Sequence, residues 1–253
     1  MACNNYIGIA GSGKGYTNAI LSDGSVKKVT GPIGIRNNNP GNLVGTSSNF
    51  PFYRDRFGAV DIDYAGYLVF GSMQSGLAAQ KDLVTRKFGS RTIWGMLYGD
   101  GSSNAKSYAP YNAGNDPNNT NKKYADLLAN FGGWNVKSGN VVDGKLVPIA
   151  GKEGPVINDL TASQKNQLIA DMIRVENGES FLGQVLECAD LDGIEEGNYP
   201  KSEEEGEDTV SAKSGEGTAG TSAARNDAIA PASGGDFGFK DPDKTFSVEE
   251  YKD

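Results

Sequence analysis

The sequence predicts an α+β chain, mostly helical with small β-hairpins, that ends in a flexible acidic tail. Three observations carry this prediction. Apolar residues recur at helical spacing in four stretches between Ser75 and Gly178. Asp23-Gly24 and Asp143-Gly144 each separate short runs of strand-forming residues, as tight hairpins do. Composition then breaks at residue 195. Residues 195–253 hold 15 acidic and 6 basic side chains, against 17 and 18 in residues 1–194, so the net charge of −8 belongs to the tail. The expected organisation is an N-terminal hairpin extension (1–33), a main domain (34–194), a flexible acidic linker (195–236) and a C-terminal docking segment (237–253).

From the start, Gly8 to Gly15 nearly matches a phosphate-binding loop, but Gly15 stands where Ser or Thr would hold magnesium, and no helix pattern follows. A Gly-rich loop beside a hairpin spanning Ala19–Val29 is the better reading. Residues 34–45 hold Asn37, Asn38, Asn39, Pro40, Gly41 and Asn42, which form a turn rich in amide groups. Such groups suit the hydroxyl and acetamido groups of a sugar, and they equally suit fixing a loop. Aromatic and acidic residues alternate over 50–70, with strand character at Ile62–Tyr64 and Tyr67–Phe70. A helix with a glycine stop runs from Ser75 to Phe88. Thr92 caps a short helix over 93–98, and a long polar loop covers 99–119. Thr120 caps a helix over 121–131, and a hairpin lies within 134–158.

The last helix is the most clearly written. Thr161 and Gln164 form a capping box, and Leu168, Ile169, Met172 and Ile173 make one apolar face. Asn177-Gly178 suits the helix end. Glu176 continues the apolar stripe at the negative end of the helix dipole. Burial and dipole both favour its protonated form, and a glycosidase needs such an acid to protonate a leaving oxygen. The competing reading is a helix-terminal Glu turned to solvent.

Composition excludes much else. The chain has no His, which removes Ser-His and Cys-His nucleophiles and His-ligated metals. Cys3 and Cys188 lie far apart and argue for neither a disulfide framework nor a zinc site. No concentrated basic face suggests nucleic acid, and no apolar run is long enough to span a membrane. The first residues show no secretory leader. No metal or cofactor is expected. Residues 1–152 contain no Glu, so Asp55, Asp61 and Asp63 are the nearby carboxylates, with Asp61 and Asp63 the candidates for a second catalytic one.

The segment Gly34-Ile-Arg-Asn-Asn-Asn-Pro-Gly-Asn-Leu43 resembles the opening motif of a family of phage and prophage virion proteins with lysozyme-like character. The resemblance continues through Phe70, Ser72, Gly76-Leu77, Tyr108-Ala109-Pro110, Asn119-Thr120 and Tyr124 to Ile173-Arg-Val-Glu176-Asn177-Gly178, covering residues 34–180. Family members often carry His where Val175 stands. The motif order is also similar to that of bacterial glucosaminidases of the flagellar-rod type, with the Glu-bearing helix moved to the end. Gly238–Phe246 is similar to a linker stretch in the baseplate-hub lysozymes of contractile-tailed phages, where it joins the lysozyme to a trimeric spike. These resemblances imply a lysozyme-like domain, circularly permuted, in a phage tail or baseplate. They imply a peptidoglycan-cleaving glycosidase with Glu176 as acid and with Asn37, Asn38, Asn39, Asn42, Tyr108 and Tyr124 lining the groove. They imply partners among other virion proteins, reached through the tail with its Phe237, Phe239, Phe246 and Tyr251. A structural virion protein that kept the shape and lost the activity is the alternative.

Overall fold

The computed structural model describes residues 3–102, 105–111 and 120–193. The expected linker and docking segment lie outside the described residues, as does the Thr120 side chain. The described chain is α+β, with helices packed around one large core and three small antiparallel sheets at its margins.

Strands β1 (Tyr6–Gly13), β2 (Tyr16–Leu21) and β3 (Val26–Thr30) form an antiparallel meander. The expected hairpin over 19–29 is β2–β3. The Gly-rich run expected as a loop is instead strand β1, paired with β2 through two register irregularities. Glycines 8 to 13 lie in an extended ladder, so their amides bond to a strand and cannot converge on a phosphate. Tyr6, Ala19 and Val29 bury a small cluster against Val69. Tyr6 N–H donates to Gly71 O at 2.7 Å and Thr17 Oγ1 to Asn37 Oδ1 at 2.7 Å, which docks the sheet on the rest of the chain.

After a single turn, α1 (Ile33–Arg36), comes the Asn loop. Helix α2 (Phe50–Phe57) carries Pro51 in its first turn and stops at Gly58, whose left-handed conformation closes the last turn. The sequence pattern did not indicate this helix. Strands β4 (Ala59–Ile62) and β5 (Leu68–Phe70) follow, and Asp63–Gly66 forms the turn between them, so Asp63 and Tyr64 are not strand residues. Helix α3 (Met73–Asp82) begins earlier than Ser75: Ser72 is the N-cap and its hydroxyl accepts from Ser75 N–H. The helix continues through a π-helical turn over Leu83–Lys87. Helix α4 (Ile93–Tyr98) is capped by Thr92 as its sequence predicts. Helix α5 (Thr120–Gly132) leads to the β6–β7 hairpin (Asn140–Val142, Lys145–Val147), with Asp143 and Gly144 both left-handed in the turn.

Helix α6 (Ala162–Asn177) is the centre of the fold. Its capping box is formed in both directions, and Leu168, Ile169, Met172 and Ile173 are fully buried against α3, α5 and α7. Gly178 (φ 86°) breaks the helix and starts α7 (Glu179–Cys188). Cys3 and Cys188 are joined in a disulfide, with Cα atoms 5.3 Å apart. This overturns the expectation that the two cysteines have no pairing to argue for. Only the tertiary fold brings positions 185 residues apart in sequence together. The bond pins the segment before β1 to the end of α7. No described helix is long and apolar enough to cross a membrane.

Candidate functional site around Glu176

Glu176 sits in the last turn of α6, four residues after Met172 and three after Ile173. The apolar stripe that buries those residues therefore carries its carboxyl inward while leaving it partly exposed. Among the described residues, three side chains meet it. Tyr108 Oη donates to Oε1 at 2.7 Å and Tyr124 Oη donates to the same oxygen at 2.8 Å. Asn42 Nδ2 approaches Oε2 at 3.3 Å.

Each partner is held by its own element. Tyr124 lies on the buried face of α5 with Leu128. Tyr108 is fixed by its backbone: Tyr108 N–H donates to Met96 O and Ala109 N–H to Leu97 O, which anchors the segment on the end of α4. Asn42 belongs to the Asn loop, and there the amides divide their work. Asn37 spans Thr17 and Asp63, Asn38 donates to Asn4 O and Phe70 O, and Asn39 donates to Leu43 O and Leu68 O while accepting from Leu43 N–H. All three are buried and spent on fixing the loop, the second of the two uses their chemistry allows. Only Asn42 turns to Glu176. The loop lies on α3 where Gly76 gives it room: a Cβ there would stand 1.9 Å from Asn38 O.

Asp61 and Asp63 are not brought to Glu176 by any hydrogen bond. Asp63 is buried. It accepts from Asn37 Nδ2, Ala65 N–H and Tyr67 N–H, with Arg36 Nη2 3.9 Å away. Its Oδ1 serves the β4–β5 turn and its Oδ2 holds the Asn loop. Asp61, on β4, accepts from the next residue's N–H. No cluster of three His, Cys, Asp or Glu suited to a metal occurs among the described residues.

Burial dominates the electrostatics. It pushes the Glu176 carboxyl from its ordinary 4.5 to about 7, against the opposing pull of the Tyr108, Tyr124 and Asn42 donors. No described Lys or Arg forms an ion pair with it, and Arg174, two residues earlier, pairs with Asp171 and Glu179. Burial and the neighbouring carboxylate raise both tyrosines well above their usual value, so they remain neutral donors. Because Oε1 already accepts two hydroxyl protons, the acid proton belongs on Oε2. Tyr124→Phe should therefore cost about 1–2 kcal/mol at pH 8, where the carboxylate needs its donors, and less at pH 5. Urea unfolding at the two pH values measures this, and equal losses would mean that the hydroxyl serves packing alone.

The sequence reading missed two neighbours. Gln80, fully buried, has its Nε2 3.4 Å from Tyr108 Oη, and Asn177 links the helix end to Pro40 O. Gln80 carried no sequence signal beyond proximity to the Gly76-Leu77 motif, and Asn177 stood in the terminal motif only as a helix-end residue. Comparison of the chain with protein-family models, curated proteins and solved structures finds no match.

Proposed function

We propose that this chain is a peptidoglycan-cleaving glycosidase carried in a phage tail or baseplate and acting during cell-wall penetration. The observation that carries this reading is a partly exposed carboxyl with a raised pKa, no cationic partner, and one oxygen capped by two tyrosine hydroxyls. Such a group holds a proton near neutrality and has a direction in which to give it.

In the proposed reaction Glu176 Oε2 protonates the oxygen between two aminosugars, and the bond to the anomeric carbon breaks. The carboxylate left behind is stabilised by Tyr108 and Tyr124. It then takes a proton from water, which adds to the sugar as in a muramidase or glucosaminidase. Alternatively it takes the proton of the sugar's own hydroxyl, which closes an anhydro ring as in a lytic transglycosylase. The second route needs no second carboxylate. It suits a site in which Asp63 is consumed by the fold and Asp61 makes no hydrogen bond to Glu176. A circularly permuted lysozyme-like fold belongs to the same proposal. The disulfide between the first and last described segments supports it, because neighbouring ends make permutation physically feasible.

The test is digestion of purified peptidoglycan by the full chain, with mass analysis of soluble fragments. Fragments are expected, and their new ends, reducing or anhydro, decide the route. A folded protein that releases none would overturn the proposal in favour of a structural virion component.

A further inference from the structure

Glu176 is surrounded by groups that either donate or accept, and which they do decides where its proton can go. A tyrosine hydroxyl and an asparagine amide can each play both parts. An Asn beside Oε2 that presented its carbonyl would accept the acid proton internally. An Asn that presents its NH₂ leaves that proton for something outside.

The polarity of the Asn42 amide is settled by a chain of contacts that starts at a backbone carbonyl. Pro40 O can only accept. Asn177 Nδ2 donates to it at 3.2 Å, so Asn177 turns its Oδ1 the other way. That Oδ1 lies 3.5 Å from Asn42 Nδ2, which also stands 3.3 Å from Glu176 Oε2. Asn177 is itself buried at the end of α6. Asn42 is held in a left-handed backbone conformation (φ 48°), which is unfavourable for a non-glycine residue and is retained where its surroundings require it. Glycine at 42 would relieve the backbone and lose the amide.

We infer that Asn177 is a positioning residue: it fixes the Asn42 amide with its NH₂ toward Glu176 Oε2, so that each side chain bonded to the carboxyl among the described residues is a donor and the acid proton faces outward. The titratable groups that face Glu176 are Tyr108 from the segment after α4 and Tyr124 from α5. Arg174 on its own helix is paired with Asp171 and Glu179. The inference rests on the proposed function only in naming that proton as the reacting one.

The test uses the full chain with ¹³C-labelled Glu, the Glu176 carboxyl signal being assigned by its loss in Glu176→Gln. Asn177→Ala frees the Asn42 amide to rotate and accept from Oε2–H. The Glu176 titration midpoint is then expected to rise by on the order of one pH unit. In an Asn42→Ala background the same change should add nothing, because the relay has no end. Asn42→Asp, which places a charged acceptor at Oε2, should raise the midpoint more than Asn42→Ala does, and Asn177→Ser, a smaller change that also removes the amide, replaces Asn177→Ala if that variant does not fold. An unchanged midpoint in Asn177→Ala, an equal shift in both backgrounds, or Asn42→Asp titrating below Asn42→Ala would each overturn the assignment. If the wild type cleaves peptidoglycan, Asn177→Ala should lower kcat roughly tenfold with KM unchanged. If it cleaves nothing, the proposed function fails while the titrations still decide the relay.

Discussion

Glu176→Gln is expected to abolish the proposed peptidoglycan cleavage and, above neutral pH, to stabilise the fold. The two effects have one cause. Gln keeps an oxygen for Tyr108 and Tyr124 but has no proton to give, so the loss should fall in the range of about 10²–10⁴-fold that acid–base groups supply. For stability, the folded carboxyl titrates near 7 against an ordinary 4.5. Below pH 4.5 the group is neutral in both folded and unfolded chains and imposes no penalty. Between 4.5 and 7 the unfolded chain releases its proton while the folded chain keeps it, so the free energy of unfolding falls as pH rises. Above 7 the folded chain must hold a buried charge, and the loss levels off. The shift corresponds to about 2–3 kcal/mol after discounting for the partial exposure of the group. Urea unfolding of both proteins from pH 4 to 8 should show the mutant's advantage opening between 4.5 and 7 and flat above. Parallel curves would mean that Glu176 is an ordinary surface carboxylate. A site more stable without its acid is what a functional constraint against stability looks like.

Removing the disulfide is the second large change. Cys3 and Cys188 close a loop of almost the whole described chain, 185 residues in separation. In the chain-entropy account a loop of this length constrains the unfolded state by about 5 kcal/mol. Cys3→Ser with Cys188→Ser, or reduction by a dithiol, should lower the free energy of unfolding by about 3–5 kcal/mol. The loosening should reach the site as well. Asn4, next to Cys3, accepts from Asn38 in the loop that carries Asn42, and α7 begins directly after the Glu176 helix turn. Hydrogen exchange should therefore rise first in residues 3–6, in the Asn loop and in α7. An unchanged urea midpoint would show that the bond closes on segments already fixed by packing.

Helix α6 was legible because several local signals agreed: a capping box, a stripe at 3.6-residue spacing and a glycine stop. Helix α4 and both Asp-Gly hairpins were legible for similar reasons. Helix α2 was not, because Phe50–Phe57 mixes aromatic and charged residues with no clear apolar face, and aromatic runs suit strands as well. Strand β1 was hidden by its glycines, whose place in the sheet depends on β2. In the site, periodicity put Glu176 in line with the apolar stripe, but whether it turned inward or to solvent was decided by the fold. The division of labour among Asn37, Asn38, Asn39 and Asn42 did not, since four near-identical amides differ only in what the fold sets opposite each of them. The disulfide and the Pro40–Asn177–Asn42 relay are tertiary contacts between distant segments, and no local pattern encodes them.

Glu176 keeps its proton near neutral pH inside a cradle of donors. The carboxyl ¹³C titration of Glu176 in the wild-type chain measures it directly. A midpoint close to 7 is the expected result. A midpoint below about 5, within the ordinary range for glutamate, would contradict the account, because the carboxyl would then be ionised at neutrality and have no proton to donate.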